Sequence, residues 1–530
     1  METAAVRGWY LRRKYGIIYD RLGKAFEMAE IDYLKKILNS NVYDVAEVTS
    51  LESAAALSRR FGCRILLKRE DLQCVHSFKL RGAYNKMSRL SREELDKGVI
   101  CASAGNHAQG VALAAKRLGC KATIVMPVTT PEIKIAAVRS YGANIVLHGD
   151  SYSDTYEELE AQIKAHHYTY VAPFDDPDVI AGQGTIGKEI LEQAGKELDA
   201  IFVPIGGGGL AAGVAAYVKA VRPEVKVFGV EPVDSDCMRR SIAAGKVVTL
   251  ENPGLFADGV CVKTPGKETF RICRACLDGI VLVTTAETCA AIKDIFEATR
   301  AICEPAGALG LAAAKKVLKK GETGAAIISG ANMNFDNIRF VSEQTELGEG
   351  REAILDCTLA EKRGSFKRFI SKLGKRRITE FNYRLSDADV AHVFVGVGVK
   401  APGEVEGIVA SLEKAGYRAV DLSQDVIAKE HVRYMVGGRA AGLRDEVVMT
   451  FEFPEKPGAL MNFLAVLADR WNISMFHYRN HGADHGKILA GFQVPKNERK
   501  SFMEALGKIG YSYEDVTRDR AYQSFLAANK

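Results

Sequence analysis

Between residues 60 and 330 the chain repeats one pattern: a short apolar run, a turn that contains glycine, and an amphipathic segment with helical periodicity. Short continuous apolar runs are typical of strands that are buried on both faces. The strand-like runs are 64–68, 99–102, 122–126, 144–147, 168–171, 200–203, 225–228 and 325–328. Strands separated by helices form parallel sheets, and ligands bind at the carboxyl ends of such strands. This part of the chain is therefore predicted to be an α/β domain with its site at the strand ends.

A polar turn follows the run 99–102 and opens a helix. It consists of Ser103, Ala104, Gly105, Asn106 and His107. The free N–H groups and the positive dipole end of such a helix start can hold a carboxylate, and Ser103, Asn106 and His107 add side-chain donors. The turn is also compatible with an ordinary helix start that has Asn106 as its cap and His107 in solvent. We predict a carboxylate site and leave that alternative open.

Four consecutive glycines follow the run 200–203. They are Gly206, Gly207, Gly208 and Gly209, and Leu210 leads into the next helical segment. A glycine loop between a strand and a helix leaves the backbone free to surround an anion, most often a phosphate. A merely flexible turn is one alternative. A nicotinamide-dependent enzyme is another, because the loop and Glu231 satisfy the relaxed dinucleotide pattern.

Lys79 lies in the first turn of a predicted helix whose buried face has the spacing i, i+3, i+4, i+7. That face is formed by Leu80, Ala83, Tyr84 and Met87. Ser77 is the candidate N-cap, and the positive end of the helix dipole disfavours a charged amine. Lys79 is therefore a candidate for a neutral, imine-forming amine. An ordinary surface lysine is the alternative for this stretch alone.

Ser329 follows the last strand-like run and is placed to hydrogen-bond a ring nitrogen, although a serine there is more often a turn residue. The motifs SFKLRGA at 77–83, SAGNH at 103–107, GGGG at 206–209 and SGAN at 329–332 occur together in one order and approximate spacing. In these motifs the chain resembles the serine/threonine dehydratases of the fold-type II pyridoxal-phosphate enzymes. Over nearly its whole length it resembles the biosynthetic threonine dehydratase branch of that family.

This resemblance implies a cofactor, pyridoxal 5'-phosphate, and a role for each motif residue. Lys79 would bind the cofactor covalently and, once released, take the α-proton of the substrate. Phe78 would flank the cofactor ring, Asn106 would hydrogen-bond its phenolic oxygen, and Ser329 would meet its pyridine nitrogen. The glycine loop with Leu210 would hold the phosphate, and the turn 103–107 would hold the substrate carboxylate.

The resemblance also implies a reaction. The expected activity is that of an L-threonine ammonia-lyase, which converts L-threonine to 2-oxobutanoate and ammonia as the first committed step of isoleucine biosynthesis. The expected enzyme is cytoplasmic and homotetrameric. The preference between threonine and serine stays open.

Two copies of one module follow the catalytic part. Residues 361–366, EKRGSF, match 455–460, EKPGAL, at an offset of 94, and 381–384, FNYR, match 476–479, FHYR, at an offset of 95. Each copy reads as strand, helix, strand, strand, helix, strand, which is the order of a ferredoxin-like unit. We therefore predict two such units in tandem.

In the light of the resemblance these units are ACT-like regulatory domains, which bind free amino acids. Isoleucine bound there would inhibit the catalytic part, and valine stays open as another effector. The turns at Gly364 and Gly458 are the expected contact points. A pure oligomerisation module and an amino-acid-sensing protein without catalysis are the alternatives.

The pattern divides the chain into five parts. They are an N-terminal helical arm (1–45), the pyridoxal-phosphate-dependent catalytic domain of two parallel-sheet subdomains (46–335), a linker (336–351), and the two ACT-like domains (352–424 and 446–518).

Composition excludes several other classes. The net charge of +6 is small against 72 basic and 66 acidic residues, and no basic patch is interleaved with aromatic residues, so a nucleic-acid partner is not expected. No apolar stretch has the length of a membrane span, so a membrane partner is not expected. The 11 cysteines suit a reducing compartment, and Cys273 and Cys276 lack the further ligands that a zinc site needs. No metal site is expected.

Overall fold

The computed structural model shows two compact units, residues 1–345 and 346–530. It describes residues 32–527 except 151, 336, 349–351, 388, 401–402, 426, 429–431, 436, 441–442, 455–458, 468–469 and 480–484. Most of the predicted arm 1–45 and the turn at Gly458 therefore lie outside the described residues. The described part of the arm contains helix α1, Tyr33–Leu38. Across the described residues, no helix has the length and apolar character needed to cross a membrane.

Unit 1 contains a six-stranded and a four-stranded sheet, and every strand pair is parallel except that of the edge strand β1. The strands are β1 (Leu51–Ser53), β2 (Arg64–Arg69), β3 (Val99–Ala102), β4 (Ala122–Met126), β5 (Asn144–Leu147), β6 (Thr169–Tyr170), β7 (Ala200–Pro204), β8 (Lys226–Pro232), β9 (Gly279–Val283) and β10 (Thr323–Ile328). The larger sheet has the order β1-β2-β10-β7-β8-β9, and the smaller one β5-β4-β3-β6. The predicted α/β class with two parallel-sheet subdomains is confirmed.

Helices cover the two sheets. Besides α1 they are α2 (Ala55–Phe61), α3 (Lys79–Met87), α4 (Arg92–Lys97), α5 (Asn106–Leu118), α6 (Glu132–Arg139), α7 (Tyr152–His166), α8 (Pro177–Ala194), α9 (Gly209–Val221), α10 (Cys237–Ala244), α11 (Lys267–Cys276), α12 (Thr285–Thr299), α13 (Pro305–Val317) and α14 (Asn337–Gly348). Helix α13 is buried from Pro305 to Ala314 and packs on β7 and β10. The central strands β2, β7 and β10 of the larger sheet are buried as their apolar sequences predict.

The predicted motifs lie at the carboxyl ends of the strands. The polar turn follows β3, the glycine loop follows β7, and Ser329 follows β10. The Phe78 N–H donates to Ser329 O (3.1 Å), and the Asn332 side chain donates to Asn106 Oδ1 (2.7 Å). These bonds connect the end of the larger sheet to the elements that carry Lys79 and the polar turn.

Unit 2 is an eight-stranded antiparallel sheet with the order β14-β11-β13-β12-β16-β17-β15-β18. Its strands are β11 (Glu352–Ala360), β12 (Ile378–Arg384), β13 (Val390–Gly398), β14 (Arg418–Asp421), β15 (Glu446–Pro454), β16 (Asn472–Arg479), β17 (His485–Gln493) and β18 (Ser512–Asp515). Its helices are α15 (Ser365–Leu373), α16 (Glu404–Lys414), α17 (Ala459–Leu467), α18 (Arg499–Ile509) and α19 (Arg520–Phe525). Each half has the order βαββαβ, so the predicted tandem repeat is confirmed, and β12 joins β16 edge to edge.

The two faces of this sheet are covered differently. One face carries a continuous aromatic core in which Phe381 and Phe476, equivalent residues of the two copies, meet at 5.4 Å between ring centroids. On the other face Ala428 packs with Ile354, and Tyr522 packs with Val448. Each copy therefore includes a segment beyond the predicted module ends at 424 and 518.

Helices α8 and α9 approach each other closely because glycines face each other at their contact. A Cβ at Gly213 would lie 2.3 Å from Ile180 O and 2.7 Å from Gly184 N, both of them backbone atoms. A Cβ at Gly182 would meet the backbone of α3 at Arg81 O, 2.7 Å away. The glycines thus set the positions of α9, which begins at the glycine loop, and of α3, which begins at Lys79.

We expect Gly213→Ala to destabilise the protein by at least about 2 kcal/mol, because the new methyl group overlaps backbone that cannot rotate away. Gly407→Ala is the matched control, since Gly407 lies within helix α16 with open space around it. That change should be neutral or stabilise by about 1 kcal/mol through helix propensity. Denaturant unfolding curves of the two variants measure the difference, and equal midpoints would contradict the packing argument.

Candidate active site

Lys79 is the first residue of α3, so it lies in the first helical turn as predicted. The predicted cap is wrong, because Phe78 occupies the N-cap position and Ser77 lies one residue too early. Ser77 instead forms a bridge with Gly330 after β10. Its hydroxyl oxygen is buried and has no hydrogen-bond partner among the described residues. A polar group is thus left unsatisfied beside Lys79.

The Lys79 side chain is half-buried, and its Nζ donates to Pro173 O (2.8 Å). The Nζ lies 5.5 Å from the centroid of the Phe78 ring. Burial lowers the pKa of Lys79 to about 8, and the negative charge of Glu304 opposes that shift. About one tenth of the amine is therefore neutral at pH 7, and this neutral form is the one that a nucleophilic lysine requires. Burial is the principal cause of the lowered pKa.

The glycine loop presents its N–H groups and directs carbonyl groups into the protein. Gly208 has a φ of +97°, which favours glycine, and α9 begins at Gly209. The Gly207 carbonyl accepts from the Thr269 hydroxyl (2.6 Å). The N–H groups from Gly206 to Leu210 have no acceptor among the described residues. Such a row of free N–H groups at a helix start is an anion site.

Pro173 and Phe174 connect the lysine to this loop. Pro173 O accepts from the Lys79 amine, and a Cβ at Gly207 would lie 2.3 Å from the Phe174 ring. A Cβ at Gly209 would lie 3.1 Å from Phe174 Cα. The glycines therefore let the loop lie directly against the segment that the amine contacts, so the two parts belong to one site.

The polar turn differs from its prediction at His107. Its ring is buried, its Nε2 lies 2.9 Å from Val171 O, and burial lowers its pKa to about 3. The neutral ring therefore donates to Val171, and its other nitrogen is an acceptor that cannot hold a carboxylate. Asn106 and His107 are the first residues of α5, so their backbone N–H groups remain available. Ser103 lies beside them and accepts from Gly105 N–H (3.3 Å).

Glu304 is a buried carboxylate that lies outside the sequence motifs, and it contacts the Asn106 side chain. Asn106 Nδ2 donates to Glu304 Oε1 (2.8 Å), and Asn332 Nδ2 donates to Asn106 Oδ1 (2.7 Å). Burial, reinforced by Asp258, raises the pKa of Glu304 to about 7. The sequence signal was weak, since a glutamate before the proline that starts a helix is an ordinary helix-start residue.

Glu231 does not serve the glycine loop. Its two carboxylate oxygens accept the N–H groups of Met238 and Arg239, each at 2.9 Å, and it therefore caps helix α10. Burial raises its pKa to about 8. A carboxylate used in this way cannot bind a ribose, which removes the main support for a nicotinamide-dependent enzyme.

Ser329 is buried at the end of β10, where it was predicted to meet a ring nitrogen. The cysteine pair gives no support to a metal centre. Cys273 is fully buried on α11 near Cys276, and burial raises the pKa of both thiols. In the described part of the chain, no group of three or more histidine, cysteine or acidic residues could hold a metal ion.

The site thus offers a partly neutral lysine, a row of free N–H groups suited to a phosphate, and an unsatisfied buried hydroxyl. These fit a cofactor that carries an aldehyde and a phosphate. The family model "Pyridoxal-phosphate dependent enzyme" matches residues 42–330. The class is therefore that of the fold-type II pyridoxal-phosphate enzymes, and the cofactor is pyridoxal 5'-phosphate.

Similarity to known proteins places the chain in one family of this class. The model "C-terminal regulatory domain of Threonine dehydratase" matches twice, at 343–432 and 437–526. The chain is 55% identical over 94% of its length to the whole of L-threonine dehydratase biosynthetic IlvA from Burkholderia multivorans. It is 50% identical over 94% of its length to 97% of the Escherichia coli enzyme of the same name. The chain belongs to the biosynthetic threonine dehydratase family.

Solved structures agree with this family. The processed form of threonine deaminase isoform 2 from Solanum lycopersicum is 51% identical, with a TM-score of 0.58 over 59% of this chain and 88% of that chain. The threonine deaminase of T.th. is 41% identical, with a TM-score of 0.54 over 57% of this chain and 99% of that chain.

We expect Gly207→Ala to weaken pyridoxal phosphate binding at least about tenfold, because the new methyl group would strike the Phe174 ring and displace the loop. The double change Gly207→Ala with Phe174→Ala should recover part of the loss, since it removes the struck ring. Titration of cofactor-free protein with pyridoxal phosphate measures both affinities. Equal affinities for the single and double variants would show that the contact does not position the loop.

Proposed function

We propose that this chain is an L-threonine ammonia-lyase, a threonine dehydratase that converts L-threonine to 2-oxobutanoate and ammonia. The observation that carries the proposal is the Lys79 amine, with its pKa lowered to about 8, joined through residues 173–174 to the free N–H groups of the glycine loop. The reaction is the first committed step of isoleucine biosynthesis. The names of the relatives support threonine as the substrate.

The residues that would hold pyridoxal phosphate come from the start of helix α3 and from the ends of β3, β7 and β10. They are Lys79, Phe78, Asn106, Gly206, Gly207, Gly208, Gly209, Leu210 and Ser329. When bound, the cofactor supplies an electron sink that stabilises negative charge at the α-carbon of the substrate. Lys79 would be its covalent anchor, and the glycine loop would bind its phosphate with backbone N–H groups.

The protein's own groups then orient the substrate and move its proton. The carboxylate of threonine would be held at the turn of Ser103, Ala104, Gly105, Asn106 and His107, chiefly by backbone N–H groups of the helix start. When it is not bound to the cofactor, Lys79 would take the proton from the α-carbon, and burial favours this role because it lowers the pKa of the amine to about 8.

Ser329 matters for the choice of reaction. An acidic residue at this place would keep a ring nitrogen protonated, whereas a neutral hydroxyl leaves the electron sink weaker. A weaker sink favours prompt loss of the β-hydroxyl over transfer of the amino group. The neutral side chain therefore suits a dehydratase.

Regulation would reside in unit 2. We infer that isoleucine, with valine as the alternative effector, binds at the turn that opens α15, where Gly364 has a φ of +77°. Next to it Glu361 accepts from the Tyr383 hydroxyl (2.5 Å) and from Asn472 of the second copy (3.0 Å). An effector there would touch both copies of the repeat. Inhibition requires that isoleucine bind two arrangements of the chain with different affinity.

We infer a cytoplasmic homotetramer, with the catalytic domain at 46–335, the linker at 336–351 and ACT-like domains that begin at 352 and 446. The matches over nearly the full length of the relatives and the two regulatory-domain matches support the order of the domains. Size-exclusion chromatography with light scattering tests the tetramer.

The purified protein should absorb visible light through lysine-bound pyridoxal phosphate, and Lys79→Ala should lose that absorbance together with threonine turnover. Lys86→Ala is the matched control, since Lys86 lies on the same helix and pairs with Asp176 at 2.8 Å. It should keep both properties. A wild-type protein that binds no pyridoxal phosphate, or that binds isoleucine without turning over threonine, would refute the enzyme proposal.

Gly364→Ala should raise the isoleucine concentration for half-inhibition several-fold while threonine turnover without isoleucine stays unchanged, because alanine strains the left-handed turn. Gly416→Ala is the matched control. Gly416 has a φ of +86° in the same copy, at the turn before β14, so it introduces similar strain elsewhere. Inhibition curves that shift equally in both variants would place the effector elsewhere.

A further inference from the structure

Glu304 is a buried carboxylate in the site for which the proposed reaction has no use. Glu304 is 3% exposed and lies directly before Pro305, the first residue of α13. Its backbone N–H donates to Gly330 O (3.1 Å), so the residue is fixed to the segment that follows β10. A buried carboxylate is costly unless hydrogen bonds satisfy it, and a function for it is therefore worth seeking.

Among the described residues the Glu304 carboxylate accepts hydrogen bonds from Asn106 and from Asn332, and Asn332 also contacts Asn106. Oε1 accepts from Asn106 Nδ2 (2.8 Å), and Oε2 accepts from the backbone N–H of Asn332 (3.1 Å). Asn332 in turn donates its side-chain amide to Asn106 Oδ1 (2.7 Å) and to Val75 O (2.8 Å). The Asn106 amide oxygen and one of its two N–H groups are thereby held from two sides.

This arrangement determines which way the Asn106 amide faces. A side-chain amide has one acceptor oxygen and two N–H donors. Glu304 can only accept when ionised, and the Asn332 amide nitrogen can only donate, so an Asn106 amide turned by 180° would oppose like groups at both contacts. One N–H of Asn106 remains for another acceptor.

The space around Glu304 is shaped for a carboxylate. A Cβ at Gly330 would lie 2.8 Å from Glu304 Oε1, and a Cβ at Gly259 would lie 3.3 Å from the same oxygen. Any side chain at Gly330 would push the carboxylate away from Asn106. The charged groups that act on Glu304 or feel its charge are Lys79, Lys134 and Asp258.

We propose that Glu304 is a positioning residue, which with Asn332 fixes the Asn106 amide so that its remaining N–H donates to the phenolic oxygen of pyridoxal phosphate. The inference rests on the proposed function, since it assigns Asn106 to the cofactor. Glu304 itself acts through Asn106.

The test is a double-mutant cycle on the dissociation constant of pyridoxal phosphate from the full chain. Glutamine keeps the shape of Glu304 but offers one acceptor to two donors, so Glu304→Gln should weaken binding about tenfold. Asn106→Ala should weaken it by a similar factor. If Glu304 acts through Asn106, the double variant should bind no worse than Asn106→Ala alone. The absorption maximum of the bound cofactor should shift in both single variants.

Two further variants keep the test decisive. Asn332→Ala removes the other side chain that holds the Asn106 amide. It should weaken pyridoxal phosphate binding by the same factor and should cause no further loss when combined with Asn106→Ala. This variant tests the fixed amide if Glu304→Gln does not fold. Asp294→Asn is the matched control, because Asp294 is a buried carboxylate paired with Arg60 (3.0 Å) and Lys315. It should leave the dissociation constant and the absorption maximum unchanged.

The possible results distinguish a failure of the positioning role of Glu304 from a failure of the proposed function. If the wild type binds pyridoxal phosphate but Glu304→Gln binds it equally well, or the losses of Glu304→Gln and Asn106→Ala add, the positioning role is refuted and the proposed function stands. If Asp294→Asn weakens binding as much as Glu304→Gln, the effect is one of general stability and the role is likewise refuted. A wild type that binds no pyridoxal phosphate refutes the proposed function itself.

Discussion

A buried cluster of four charged residues holds the helix that begins at Lys79. Arg81 donates to Glu70 (2.8 Å) and Glu189 (2.6 Å), and Lys68 donates to Glu189 (2.6 Å). All four side chains are at most 1% exposed, and their charges balance. Removing one partner would leave an uncompensated buried charge, which typically costs about 3–5 kcal/mol. Helix α3 is thus tied to β2 and α8, and Lys79, two residues before Arg81, inherits a fixed position.

The sequence predicted those parts of the molecule that depend on local periodicity. We could infer the parallel strands and the turns after β3 and β7 because strands buried on both faces have continuous apolar sequences. We could infer the repeated module because its two copies have similar sequences. The incorrect predictions for Ser77 and His107 have a common cause. Ser77 does not cap its helix because it bridges to Gly330, and His107 turns to Val171. Both outcomes depend on residues that are distant in the chain, as does the contact between Glu304 and Asn106, and no local pattern reports such contacts.

The repeat shows the same division between local and distant information. Equivalent residues make equivalent contacts: Thr379 bonds Glu352 in the first copy, and Ser474 bonds Glu446 (2.5 Å) in the second. The sequence similarity between the two copies predicts that equivalent residues make similar contacts. It does not predict that β12 and β16 join the copies, or that Arg384 of the first copy reaches Glu446 of the second (2.5 Å). The copies are therefore coupled through a shared sheet and a buried ion pair, which gives an effector at one copy a physical route to the other.

The site combines two opposite requirements, and its residue types explain how both are met. A phosphate needs positive potential, whereas a nucleophilic lysine must lose its charge. Gly206 to Leu210 offer N–H dipoles and no charged side chain, so a phosphate bound there would not require Lys79 to stay protonated. Burial meanwhile moves Lys79 toward its neutral form, with a pKa of about 8. In the proposed site the anion would be held by backbone N–H groups, while burial lowers the pKa of Lys79, so the lysine would remain available as a base.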